Sequence, residues 1–425
     1  MSSRRLTAIS LYTGIGGLDF GFEAAGFETA AAIELDAVSC RTLRLNRPQW
    51  GLLEGDIHDI PSDAILARAG LQPSEADVLI GGPPCQPFSK SSYWVNGDAL
   101  RLDDPRADTL TAYLRVLRDT RPKAFLLENV YGLVYKGKDE GLRRLLEGIC
   151  QINRETGTGY TVTWKMLNAA HYGVPQIRER VFLIGSRDGI PFQFPAPTHI
   201  GADEVSLLDT REPYRTAWDA IGDLPRIPNE PSLTAGGKWR DLLPTIPEGQ
   251  NYLWHTNRGG GAQLFGWRTR YWSFLLKLAK NQPSWTIQAQ PGSAIGPFHW
   301  CNRKLSIQEM CRLQTFPDAL EFDCGRTDLQ RMLGNAVPSL LVEVLARAIR
   351  QQLLGDNSDF GPLTLIPPVR RPVPAPEPLP PLPAKYRPLI GDHADHPGEG
   401  FLKARKARQA DADDVLPLLA VSGAD

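Results

Sequence analysis

An α/β fold is predicted for this 425-residue protein: a large domain on a mostly parallel, Rossmann-like sheet, with a smaller irregular domain attached. Three observations carry the prediction. Short apolar runs alternate with amphipathic stretches through the first half, the order that places helices between parallel strands. Glycine-rich turns follow two of those runs directly. After Pro195 the periodicity fades, and Pro, Gly and Trp become frequent up to Gln282.

Leu6–Leu11 reads as the first strand, followed by a glycine turn and a helix through Ala25. Thr29–Ile33 is the second strand, with Asp36–Asn46 its helix. Asp77–Ile80 is a buried strand that Gly81-Gly82-Pro83-Pro84 must end. From Leu110, apolar residues recur at Tyr113, Leu114 and Leu117, a helical spacing, and Arg121-Pro122 closes that helix. Ala124–Leu127, Tyr160–Leu167 and Val181–Gly185 complete the strands. Helices return over Ile307–Thr315 and from Ser339 to about Leu354.

The implied organisation is a large domain over 1–199, a smaller irregular domain over 200–300, and a segment over 301–355 where regular structure returns. About a third of the 36 prolines lie beyond Gly355, many in the run PVPAPEPLPPLP. Such a run favours polyproline II and cannot build a core of its own, so 356–425 is expected to be a disordered tail. The net charge of −1 requires any DNA-binding charge to be clustered on one face. Six dispersed cysteines contain no CxxC pair, which argues against structural zinc and predicts no metal. No apolar run suits a signal peptide or a membrane span. A cytoplasmic monomer with free thiols is expected.

Thr13-Gly14-Ile15-Gly16-Gly17 lies between the first strand and helix, where glycines admit a ligand to the backbone and a helix N-terminus offers free N–H groups. Glu34 ends the second strand, where an acid can accept both ribose hydroxyls of a nucleoside cofactor. Asp56 and Ile57 follow as candidates for the edge and face of an adenine. The turn alone does not choose between NAD and S-adenosylmethionine.

The motif Gly81-Gly82-Pro83-Pro84-Cys85-Gln86-Pro87-Phe88-Ser89 sits at the carboxyl end of a strand, the edge where open α/β sheets bind ligands. The prolines fix the backbone and present the Cys85 thiol on a rigid loop. A positioned thiolate can add to carbon 6 of cytosine, making carbon 5 nucleophilic enough to accept a methyl from a sulfonium. Glu128 ends the next buried strand; protonated, it could bond ring N3 and the exocyclic amine. Gln176, Arg178 and Arg180 alternate along one face, where the arginines could hold the base O2 and the target phosphate.

Together these residues resemble the bacterial DNA cytosine-C5 methyltransferase family. The ordered series covers about residues 6–350: LYTGIGGLDFGF, AIELD, GDI, GGPPCQPFS, DDPR, LLENV, YGVPQIRERVFLIG, PAPTH, RKLSIQEMCRLQTFPD and GNAVP. The resemblance implies an S-adenosylmethionine-dependent enzyme acting on a flipped-out cytosine in double-stranded DNA. It implies Cys85 as nucleophile, Glu128 as the acid on the base, Arg178 and Arg180 as supports of base and phosphate, and Gln176 as a brace. It also implies a cofactor pocket of Tyr12, Gly14, Gly16, Gly17, Glu34, Asp56, Ile57 and Pro84, with Asn335 and Val337 returning from the C-terminal part.

One departure is that Ala107, not glycine, follows Arg106 of the DDPR motif. The loop from Ser89 to Asp104 corresponds to the segment that closes over the base in the family. Ser89, Arg258, Arg268 and Arg270 are candidate DNA contacts. A cognate restriction endonuclease acting on the same site is a possible partner. Rival readings are a transfer-RNA cytosine methyltransferase, a catalytically silent DNA-binding homologue and a nicotinamide-dependent oxidoreductase. Intact Cys85, Glu128 and Arg180 oppose the second, and PPCQPFS has no role in the third.

Overall fold

Seven strands form the central sheet in the order β3-β2-β1-β4-β5-β7-β6. They are β1 (Leu6–Leu11), β2 (Phe27–Glu34), β3 (Leu52–Glu54), β4 (Val78–Gly81), β5 (Ala124–Asn129), β6 (Thr161–Asn168) and β7 (Glu179–Ser186). The computed structural model describes residues 5–84, 108–130, 140–204, 206, 209–225, 230–266 and 272–391. β1 to β5 run parallel, whereas β7 is antiparallel to both β5 and β6. Apolar runs such as AFLLEN in β5 are buried along their whole length, as a sheet covered on both faces requires.

The helices covering that sheet are α1 (Gly17–Ala24), α2 (Ala37–Asn46), α3 (Ser62–Ala69), α4 (Asp108–Thr120) and α5 (Glu140–Thr156). After the irregular region begins come α6 (Ala217–Ile221), α7 (Ile307–Leu313), α8 (Arg326–Asn335) and α9 (Ser339–Leu353). On one face α1 and α9 pack together in a core with Phe22, Leu340, Leu341 and Leu345. Gly21 makes that approach possible: a Cβ there would stand 2.4 Å from the Val342 Cβ and 2.6 Å from the Ser339 carbonyl. On the other face α4 and α5 bury Tyr113, Leu117, Leu145 and Ile149 against Ile9, Leu79 and Phe125. Residues that follow the irregular region therefore complete the domain built on the central sheet.

Five parallel strands end on one edge of the sheet, and β7 begins there. Strand order reverses between β1 and β4, so connections leave in opposite directions and open a crevice at that edge. The glycine turn, Glu34, the start of the cysteine loop and Glu128 all come from this edge by topology alone.

The stretch Arg326–Leu353 is long and apolar enough to cross a membrane, but most of it is buried inside the protein. It is core, interrupted at Ala336–Pro338 between α8 and α9. One expectation needs correction: the Pro-rich tail is not disordered over 356–391. Its prolines lack N–H groups and arrive with φ already restricted, so little is lost when the segment lies along a surface made by other residues. Leu363, Leu365 and Ile366 pack on the main core, and Tyr386 is only 3% exposed. Residues 392–425 lie outside the described residues.

Candidate active site

Glu128 lies one residue from the end of β5, opposite Phe182 of β7, so the strand reversal brings Arg180 alongside it. Arg180 Nε stands 2.9 Å from Glu128 Oε1. The contact is an ion pair without hydrogen-bond alignment, and among the described residues no hydrogen bond reaches that buried oxygen. Burial raises the Glu128 pKa above the usual carboxylate range, against the pull of Arg180 and Arg178. The result is a carboxyl whose protonated form persists to higher pH than that of an exposed acid, with one buried oxygen held against Arg180.

The start of the cysteine loop is fixed beside this acid. Asn129 Nδ2 donates to the Pro83 carbonyl at 3.3 Å, tying the end of β5 to the loop. Gly82 passes close to this acid: a Cβ there would lie 2.9 Å from Glu128 Oε2. Pro84 is exposed at the edge. Cys85, Ser89, Arg268 and Arg270 lie outside the described residues, as does the loop from Ser89 to Asp104.

The two arginines of the alternating run have different surroundings. Arg178 is 1% exposed and donates to the carbonyls of Ile287 (3.2 Å) and Gly334 (2.6 Å). These bonds clamp the approach to β7 onto the segment before α7 and onto α8. Arg178 therefore braces the site and does not present its amino groups to a phosphate, which corrects the expectation of paired base and phosphate contacts. Gln176 braces too: its Oε1 accepts from Ile287 N and its Nε2 donates to the Leu313 carbonyl. Arg258 is exposed in the irregular region.

At the glycine turn, Gly14 adopts φ +59° and a Cβ there would meet open space. Gly16 and Gly17 face protein instead. A Cβ on Gly16 would stand 3.1 Å from Phe20 and 3.2 Å from Trp50, and one on Gly17 would stand 2.7 Å from the Val337 carbonyl. Ser339 Oγ donates to the Gly17 carbonyl, so the GNAVP segment is fastened directly to the turn. Glu34 accepts from Gly14 N at 2.6 Å and from Asp36 N at 2.8 Å, which shapes the turn with its own carboxylate. Desolvation raises its pKa. Asp56 accepts from His58 N and contacts His58 Nδ1 at 2.6 Å; those bonds lower its pKa. Ile57 is buried, Asn335 is exposed at the end of α8, and Tyr12 donates to the Thr109 carbonyl at 2.7 Å.

An open face at Gly14, a partly buried acid at the end of β2 and a second acid after β3 offer acceptors suited to the hydroxyls and amine of a nucleoside. Asp19 is a residue that sequence reasoning missed. It is fully buried beneath the turn and accepts from Ser10 Oγ and Thr29 Oγ1, and burial pushes its pKa up to about 7. A single acid inside the apolar run GLDFGF was the available signal.

Comparison with known proteins agrees with this geometry. The family described as C-5 cytosine-specific DNA methylase matches residues 6–351. The type II methyltransferase M.SacI of Streptomyces achromogenes is 41% identical over 375 residues, covering 83% of this protein and 94% of its own length. M.NgoFVII of Neisseria gonorrhoeae is 33% identical over 353 residues, covering 82% and 87% respectively. The solved S. pombe Dnmt2 methyltransferase superposes with a TM-score of 0.54 at 18% identity, over 83% of this protein and 99% of that one, a likeness of fold.

Proposed function

We propose, from the premise that the protein belongs to the C-5 cytosine-specific DNA methylase family, that it methylates a cytosine within a specific double-stranded DNA site through a covalent adduct on Cys85. Family membership makes it a DNA (cytosine-5-)-methyltransferase whose cofactor is S-adenosyl-L-methionine. The observation that carries the mechanism is the buried Glu128 carboxyl beside Arg180 and the loop that leads into Cys85.

Carbon 6 is inaccessible in a stacked duplex, so the target nucleotide is flipped out to reach this edge. Glu128, protonated, donates to ring N3 and draws electron density from carbon 6 as the Cys85 thiolate adds there. Arg180 holds the Glu128 carboxyl and faces the base. The cofactor, when bound, supplies the electrophilic methyl that carbon 5 accepts. Loss of the carbon 5 proton to a base then lets the carbon–sulfur bond break and returns Cys85 as thiolate. Tyr12, Gly14 and Glu34, with Asp56, Ile57, Asn335 and Val337, hold the cofactor, while Gly16 and Gly17 set the turn against Val337. Residues 200–300 form the target-recognition region, with Arg258, Arg268, Arg270 and Ser89 as DNA contacts. The type II names of the relatives favour a restriction-modification setting with an endonuclease for the same site.

Purified protein given methyl-labelled cofactor is expected to label double-stranded DNA, with 5-methylcytosine as the product in nuclease digests. Label in transfer RNA and none in DNA would overturn this reading.

A further inference from the structure

Residues 356–391 lie beyond the part of the sequence that the family covers, which ends at 351. They leave α9, cross the junction of the two regions and finish inside the smaller one. The near end is fastened to α9. The buried Glu343 carboxylate accepts from Thr364 N, Thr364 Oγ1 and Leu365 N, and Arg347 donates to the carbonyls of Gly361 and Pro362.

Midway, Arg370 N donates to Asp219 Oδ1 at 2.6 Å, and its guanidinium pairs with Asp223 at 3.0 Å. Lys280, 2% exposed, donates to Glu248 at 2.5 Å and to the Ala375 carbonyl at 3.1 Å, with Glu377 at 3.3 Å. A buried ammonium needs such partners, and the segment supplies two of the three.

The far end completes a core. Tyr386 packs among Leu242, Leu243, Tyr252 and Phe298, stacks on Trp239 (5.4 Å between rings, 22° between planes) and donates to the Lys238 carbonyl at 3.0 Å. Gly391 N donates to the Gln263 carbonyl. This region is built from short 3-10 turns over Pro231–Leu233, Arg240–Thr245 and Tyr252–His255, with no sheet ladder through them among the described residues. Side chains brought in from the segment, Tyr386, Leu382 and Leu389, help to fill the core between those turns.

We propose that residues 356–391 are a strap that fixes the smaller region against the catalytic domain, with Tyr386 as the positioning residue at its far end. The proposal rests on reading that region as the one that recognises DNA. Loosening the strap misplaces bound DNA relative to the catalytic edge and leaves the cofactor turn, on β1 and β2, untouched.

The test compares the full-length protein with Tyr386→Ala and Tyr386→Phe. Tyr386→Ala is expected to raise KM for DNA at least about tenfold, since small displacements remote from the chemistry have effects of this order or larger. Affinity for S-adenosylmethionine alone should stay within about twofold, because the turn does not touch the strap. Tyr386→Phe keeps the stacking and should largely restore KM. Hydrogen exchange should quicken over 238–265 and not in β1 to β5. If Tyr386→Ala does not fold, Glu377→Ala should give the same pattern at smaller amplitude. A wild-type KM for DNA in the variant measured overturns the proposal, as does parallel loss of cofactor affinity and sheet protection. Absence of methyl transfer by the wild-type protein would instead strike the functional reading, while exchange still reports on the strap.

Discussion

Replacing Cys85 with serine is expected to lower methyl transfer to DNA by more than about a thousandfold, the scale seen when a covalent nucleophile is removed. A serine hydroxyl is not ionised near neutral pH, whereas a thiol with an ordinary pKa of about 8.5 already supplies some thiolate. The oxygen nucleophile is also harder and poorly matched to carbon 6. Cofactor binding should change by less than about twofold, because the turn and Glu34 are held by β1, β2 and the GNAVP segment. Labelled-methyl transfer and equilibrium cofactor binding on the same preparation check both halves. A serine variant with substantial transfer would remove Cys85 from the chemistry.

Glu128→Gln should reduce kcat by roughly 10²- to 10⁴-fold, the usual contribution of a placed general acid. The amide keeps the shape and can donate a hydrogen bond, but it carries no transferable proton. Its effect on pH dependence is more diagnostic. Burial raises the Glu128 pKa, so the protonated, donating form persists to higher pH than for an ordinary carboxyl. Activity that needs that form must fall as pH rises through the raised pKa. The wild-type profile should show this descending limb, and the Gln variant should lose it while keeping the ascending limb of a thiol. A Gln variant with the wild-type profile would show that Glu128 does not act as the acid.

Much of the catalytic domain is legible because its strands are nearly continuous apolar runs between turn signals. Leu6–Leu11 is bounded to the residue by its sequence pattern, and the other expected strands fall within a few positions of the observed ones. The helix Glu140–Thr156 is not among the expected elements, although Leu142, Leu145, Ile149 and Ile152 recur at helical spacing. Sequence alternation places Arg178 and Arg180 on one face but cannot reveal that Arg178 is spent on two carbonyls more than 100 positions away. Nor can a glycine count separate Gly14, which faces open space, from Gly16 and Gly17, which face Trp50 and Val337.

The tail shows a different limit. Composition correctly says that a proline-rich segment has no core of its own. It does not say whether another part of the protein offers a surface. Tyr386 and Glu377 are ordered by Trp239 and Lys280, partners that no local pattern connects to them. Long-range satisfaction of buried charge and aromatic surface is the part of this fold that lies beyond the reach of sequence pattern.

The central claim is that Cys85 forms a bond to carbon 6 of the target cytosine. Incubation of the protein and S-adenosylmethionine with duplex DNA carrying 5-fluorocytosine at the methylated position tests it most directly, because fluorine at carbon 5 cannot leave as a proton does. A protein–DNA adduct that survives denaturation and maps to the peptide containing Cys85 is the predicted result. Methylation of ordinary cytosine at the same site, with no stable adduct on the fluorinated DNA, would contradict it.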